Sequence, residues 1–438
     1  MSEELLKAAT RKYGQAEVYR VEGESVPVTF EANKLKELSA REASGVALRV
    51  INKGRIGFTS TTNADDEAGL VARAGAVSEF GAEAKFSFPK QATVQDLDVF
   101  DPRVEKVTRA RMIDTGRDLI ERLREKWPEM LCEGRVGRST GRMNIWNSSG
   151  VEYSYQETGY YIYLGGKLIR GTDMLNLWQG HSSAGWFGKK ETDGILDRLL
   201  QQLEYCRNIA PAPVGDVPVI FTPRGLAAAL LDPLLAGFNG KNIADGASPL
   251  IGKEGTKVLD DRISISDDPT VPMASGSRPC DDEGVPSRKV VLMEKGVAGG
   301  GYFDLQSAGR AGRKTTGSAH RSLTAPPGPG TSLIDIAPGG TPYGDLFAGI
   351  KSGLVVEELL GAGQGNVLGG EFRASVSLGY RIENGVITGR VKDTMISGNV
   401  YKALAQVEAV SDKAEWVFGS MRAPAIRCRG VEVAAKGG

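Results

Sequence analysis

Ser375-Val376-Ser377-Leu378-Gly379-Tyr380-Arg381-Ile382-Glu383 alternates polar and apolar residues; Asn384-Gly385 follows, and Val386-Ile387-Thr388-Gly389-Arg390-Val391 resumes the run. A period of two marks a half-buried strand. Asn-Gly between two such runs supplies the pair of positive φ angles that a two-residue hairpin turn requires. The stretch therefore predicts an antiparallel hairpin. Similar short runs, punctuated by Gly, Pro, Asp and Asn, surround it: Arg262–Ser266, Lys289–Glu294 and Gly353–Glu358. Val217–Phe221 reads as a strand, Thr222-Pro223 opens a helix through about Phe238, and a late helix is expected near Val400–Val410.

Of 57 glycines, 36 lie from Pro211 onward. The segment Ile209-Ala210-Pro211-Ala212-Pro213-Val214-Gly215 before the strands reads as a linker. The first half differs. Glu17–Glu22 and Val26–Glu31 alternate as two strands around Gly23, and Gly45–Ile51, Asn52-Lys53-Gly54 and Arg55–Ser60 form a hairpin. Asp65 or Asp66 caps a helix to about Phe80, and a helical stripe runs from Val104 to Leu123. Strands around Gly141–Trp146 and Val151–Leu164 join through the turn Asn147-Ser148-Ser149-Gly150, and a helix at Asp193–Arg207 closes the half. The expected fold is α+β. An N-terminal α/β domain of antiparallel hairpins and helices takes residues 1–210, with a further division near residue 100. A Gly-rich C-terminal domain of antiparallel sheets with few helices takes residues 211–438.

The 438 residues carry 54 Lys+Arg and 54 Asp+Glu. A balanced charge speaks against a dedicated nucleic-acid binder, whose affinity rests on phosphate contacts. No run approaches the ~20 apolar residues of a membrane span, and the acidic start Met1-Ser2-Glu3-Glu4 has no apolar signal core. A cytoplasmic protein is expected. Cys132, Cys206, Cys280 and Cys428 are scattered and include no CxxC pair. With only His181 and His320, HExxH zinc sites and His-rich clusters cannot be built, so no metal is expected in this chain.

Asp281-Asp282-Glu283-Gly284 clusters three carboxylates that could hold a cation or act as acid and base. The competing reading is a solvated turn, with Gly284 at positive φ, that anchors the strand Lys289–Glu294. Gly361-Ala362-Gly363-Gln364-Gly365-Asn366 suggests a phosphate cradle, but a strand follows where a dinucleotide fingerprint needs a helix. His320, in Gly317-Ser318-Ala319-His320-Arg321, reads as an exposed loop histidine or as a base. Cys280 beside two aspartates is a poor nucleophile.

Taken in order, Val219–Phe221 before an apolar helix, Ser266-Asp267-Asp268-Pro269, Asp281-Asp282-Glu283-Gly284-Val285-Pro286, Lys295-Gly296-Val297, Thr315-Thr316-Gly317, Gly353-Leu354-Val355-Val356 and Ile382-Glu383-Asn384-Gly385-Val386 resemble the PmbA/TldD family. Ser44–Val50 through Gly57-Phe58 and Asn147–Gly150 extend the resemblance into the first half. In that family TldD-like subunits bind zinc through HExxxH on the helix after the first C-terminal strand, plus a late cysteine. Here that helix, Gly225–Phe238, has neither histidine nor glutamate, and Phe418-Gly419-Ser420-Met421 lacks the cysteine. The chain is thus similar to the metal-free PmbA/TldE branch. The resemblance implies a TldD-like metal-binding partner carrying Zn, a peptide substrate held by backbone pairing, and no catalytic residue here. Asp281, Asp282, Glu283, Gly284 and His320 are the candidate substrate-binding residues. The alternative is a non-enzymatic peptide carrier or adaptor, a homodimer in isolation.

Overall fold

The computed structural model describes residues 2–63, 66–363 and 365–435. Seven antiparallel strands form the first sheet: β1 Gln15–Glu31, β2 Lys34–Leu38, β3 Arg41–Asn52, β4 Arg55–Thr61, β5 Leu131–Asn147, β6 Glu152–Arg170 and β7 Asp173–Ser183. Their order is β4-β3-β1-β5-β6-β7, with β2 also paired to β1. The two runs expected around Gly23 are one continuous strand. Gly23 stays in the ladder between Gly141 of β5 and Ala43 of β3, since backbone pairing needs no side chain. Lys53 and Gly54, at φ of 51° and 80°, make the tight turn joining β3 to β4. Of the two candidate caps of the helix Glu67–Ser78, Asp65 lies outside the described residues, and Asp66 makes no side-chain capping bond.

Side chains alternate across this sheet, so its two faces are distinct. One face is covered at its ends by helices. Ser2–Tyr13 and Glu67–Ser78 pack on Val18, Leu48 and Val50, while Arg109–Lys126 and Lys189–Tyr205 pack on Val26, Val28, Val136 and Ile162. The latter pair also touches Ile220, Val355, Leu378 and Tyr380 of the second sheet, so one apolar core joins both sheets. The opposite face carries the functional candidates.

Thirteen strands between Gly215 and Ala435 build the second sheet. It is antiparallel except where Val219–Phe221 runs parallel to Ser352–Leu360, and Ile334–Ile336 parallel to Met421–Cys428. The hairpin signal maps onto Glu371–Glu383 and Val386–Arg390, with Asn384 at φ 49° and Gly385 at φ 83°. Thr222 caps the helical run from Pro223 to Phe238 by accepting the Gly225 amide, and the run passes through a π turn at Ala227–Leu231. The late helix is shorter than expected. It spans Val400–Leu404, and Val407 to Val410 instead enter the strand Val407–Val417, whose pairing with Met421–Cys428 outweighs local helix preference. Among the described residues no helix is long and apolar enough to cross a membrane.

Candidate functional site: a sheet face half sealed by charge and half open

The face of the first sheet that carries Glu17, Tyr19, Gly23, Arg49, Gly141 and Glu157 meets the second half of the chain. Over one end lie the turn at Cys280–Pro286 and the hairpin Ala319–Ser322/Ala325–Pro329. What seals this end is buried charge. Arg49 on β3 donates to Glu17 on β1 at 2.8 Å and to Glu283 of the turn at 2.6 Å. Arg321 donates to the other Glu17 oxygen at 2.5 Å and to the Asp282 carbonyl, and its guanidinium lies 4.5 Å from the Tyr19 ring. Glu17, Asp281 and Glu283 are 0% exposed and Arg49 2%. Burial alone would discharge these groups, but the pairing opposes it. Against burial, Glu17 and Glu283 hold Arg49 charged, while burial pushes the Glu283 carboxyl up with Arg49 opposing.

The predicted turn is an anchor. Asp281 Oδ1 accepts the Glu283 and Val285 amides, both at 2.9 Å, and Oδ2 accepts the Ala319 amide at 3.0 Å. Asp282 Oδ2 accepts the Arg321 amide at 2.8 Å. The turn is not solvated, as one reading held, because the sheet face and the hairpin cover it. It ties to that hairpin rather than to the strand Val290–Glu294 alone. Gly284 has the expected positive φ, 74°, and an added Cβ would stand 2.8 Å from Val151 Cγ1. Gly284→Ala should therefore lower stability by at least about 1 kcal/mol in a denaturant titration.

His320 is not an exposed loop residue. It is half-buried in the hairpin, with Nε2 2.7 Å from Arg278 Nη2 and 3.2 Å from Ser332 Oγ. Burial and the adjacent Arg278 lower its pKa to about 3. An imidazole so weakly basic, with its acceptor nitrogen already occupied by a guanidinium, makes a poor general base. Cys280 is fully buried, and burial with Asp281 beside it raises its thiol pKa, which leaves it inert. The glycine-rich segment after Ser352–Leu360 is a hairpin loop. Gln364 lies outside the described residues, and Asn366 caps a single 3-10 turn before the strand Glu371–Glu383.

The rest of the face is an open cleft of about 880 Å³, walled by Ser182 to Ala184 and Ala274 to Ser277. Its floor has few side chains standing up. Glu157, Gly159, Tyr161 and Tyr163 of β6 oppose Gly141, Ser139, Gly137 and Arg135 of β5. A Cβ at Gly137 would collide with the Tyr161 ring, and one at Gly180 with the Tyr163 ring, so both rings lie across neighbouring glycines. The result is a flat aromatic shelf. At the rim, Met273 and Phe418 hold positive φ, 59° and 51°, and their carbonyls accept the Ser183 and Ser182 hydroxyls. Strained non-glycine backbone of this kind concentrates at binding sites. Glu17, Arg49, Glu157, Tyr161 and Tyr163 were not among the sequence candidates. The alternate-residue spacing Gly137-x-Ser139-x-Gly141 facing Gly159-x-Tyr161-x-Tyr163 was the available signal.

A metal centre does not fit the residues present. No group of three or more His, Cys, Asp or Glu among the described residues is arranged to hold an ion. At the helical run Pro223–Phe238, Arg224 instead pairs with Glu358, donates to the Trp178 carbonyl and lies 5.6 Å from the Phe418 ring.

The profile of the PmbA/TldA metallopeptidase C-terminal domain matches residues 214–435, and that of PmbA/TldA metallopeptidase domain 1 matches residues 16–78. The chain belongs to the PmbA/TldD family. TldE from Thermococcus kodakarensis has the same fold, with a TM-score of 0.87 and 24% identity over 99% of each chain. A metalloprotease PmbA homolog of Haemophilus influenzae is 24% identical over 94% of this chain and 90% of its own length. A metalloprotease TldD homolog of the same organism is 32% identical over 55% of this chain and 51% of its own length.

Proposed function

We propose that this chain is a PmbA/TldE-like subunit that binds no metal itself and joins a TldD-like zinc-binding subunit in a cytoplasmic two-subunit peptidase. The observation that carries this reading is the helical run Pro223–Phe238. It occupies the place where the family resemblance puts the metal motif, and an Arg224–Glu358 ion pair stands there instead. Hydrolysis then belongs to the partner. This chain completes the chamber and holds an unfolded or short peptide along the open cleft. Its glycine-lined floor suits such a ligand, because it lets another backbone come close. Asp281, Asp282, Glu283 and Gly284 act by fixing the end wall of that cleft, and His320 by buttressing Arg278.

Co-expression with a TldD-like subunit should yield a stable 1:1 complex with chelator-sensitive peptidase activity, and neither chain alone should cleave peptide. Stoichiometric zinc with peptidase activity in the isolated chain would overturn the assignment. A second reading is favoured by the fact that the cleft is complete within one chain: a homodimeric carrier that binds peptides without cleaving them. That reading requires the chain to remain a homodimer when the TldD-like subunit is present.

A further inference from the structure

Charge is distributed unevenly along the open cleft. Glu157 is the acid whose side chain shares the cleft face with Gly23 and Gly141. Glu22 and Glu24, whose backbone borders the cleft, alternate to the other face and pair there with Arg20 at 2.5 Å and Arg138 at 3.3 Å. Glu157 has no ion pair or hydrogen bond among the described residues. Its carboxyl opens to the cleft, yet protein crowds it closely enough that burial raises its pKa, with Asp282 nearby adding to the effect. A carboxyl exposed on the cleft floor, without an ion pair among the described residues and with Arg278 acting on it only at longer range, is a site that a ligand cation would satisfy. The far end of the cleft has the opposite character. Arg135 likewise has no acceptor among the described residues, and Arg41 beside it pairs only loosely with Glu37, at 3.8 Å.

Register fixes how the two ends relate. Glu157 stands opposite Gly141, and Arg135 opposite Tyr163, so six strand positions separate them on the same face. At ~3.3 Å per residue the separation is about 20 Å, the length of an extended peptide of about six residues. Between them β5 and β6 present Gly159, Ser139, Gly137 and the flat rings of Tyr161 and Tyr163 on this face.

We propose that the cleft binds a short extended peptide by both of its ends, its α-ammonium at Glu157 and its α-carboxylate at Arg135. The proposal rests on the reading of this cleft as a peptide site and adds to it a polarity and a length. The glycine and tyrosine floor accepts small side chains of any sequence, so recognition falls on the termini. Fixed charges at each end give the bound chain one direction, because the reversed peptide would set like charge against like.

Calorimetric titration of the isolated chain with the hexapeptide Ala-Ser-Ala-Thr-Ala-Ser tests this, using free, N-acetylated and C-amidated forms and a tripeptide with free ends. Blocking either end should weaken binding at least tenfold, and the tripeptide, unable to reach both charges, should lose as much. In Glu157→Gln the free and acetylated peptides should bind within twofold of each other, while sensitivity to amidation persists. Arg135→Met should show the converse. Neither side chain holds up the fold, so both variants should keep the wild-type melting temperature. Equal binding of blocked and free peptides overturns the proposal, as does the absence of binding by any form at millimolar concentration. Rescue of the acetylated peptide by an internal lysine would also overturn it, assigning Glu157 to a side-chain ammonium. Complex formation with the TldD-like subunit is read separately, so either idea can fail while the other stands.

Discussion

Arg49→Leu should cost about 3–5 kcal/mol of folding stability, the usual penalty for removing one partner from a buried ion pair. The magnitude follows from what is left behind. Glu17 and Glu283 are both fully buried, and Arg49 is the one group that bridges them, at 2.8 and 2.6 Å. Glu17 would retain Arg321, whereas Glu283 would keep, among the described residues, the Leu305 amide alone, at 2.7 Å. Arg49→Lys should cost less than Leu but more than a surface change, since an ammonium cannot fork to two carboxylates as a guanidinium does. The pH dependence has a definite sign. Without Arg49, burial raises the Glu283 carboxyl unopposed, so the folded variant binds protons more tightly than its unfolded chain. Such a contribution is present at low pH and lost as pH rises through the raised folded-state value. Burial already raises Glu283 to about 8 with Arg49 in place, so the deficit of Arg49→Leu relative to wild type should widen as pH rises through and above that value. Urea titrations at about pH 7 and about pH 9 read this out, and a deficit that narrows over that range would contradict the pairing of Arg49 with Glu283.

This network also marks where sequence reading stops. Asn384-Gly385 and Lys53-Gly54 are legible because a two-residue turn is decided by the φ preferences of its own residues. The long alternating runs of the first half are legible for the same local reason. Glu17 and Arg49, by contrast, occupy positions where an alternating strand would face water. Nothing near them in the chain indicates that a turn 234 residues further on, carrying Glu283, covers that side. The anchor itself was half legible. Gly284 before Val285-Pro286 pointed to a tight turn, but three adjacent acids suggested solvent, and only the packed structure puts them inside. The cleft floor failed in another way. Its glycines and tyrosines sit at visible alternate positions, yet a surface exists only once β5 and β6 are set in register, a property of two strands together. The continuation of Val400–Leu404 into a strand at Val407 is decided by its pairing with Met421–Cys428, which the local sequence does not contain.

Asp281→Ala should be comparably damaging, and it separates an anchoring role from a substrate-binding one. The carboxylate has no exposure and accepts three backbone amides, from Glu283, Val285 and Ala319. Truncation leaves all three donors buried without an acceptor, at about 1–3 kcal/mol each before relaxation, so a loss of at least about 3 kcal/mol is expected. Asp281→Asn keeps one oxygen for the Glu283 and Val285 amides but turns an NH2 toward the Ala319 amide, so it should lose roughly half as much. Burial raises the Asp281 pKa to about 6, with Arg278 and the amides opposing. The diagnostic measurement is peptide affinity at a temperature where Asp281→Asn is still folded. An anchor predicts wild-type affinity in that variant together with a lowered melting temperature, because the residue reaches the cleft only through the wall it supports. A variant of wild-type stability with weakened peptide binding would make Asp281 a contact residue and return the turn to the binding site itself.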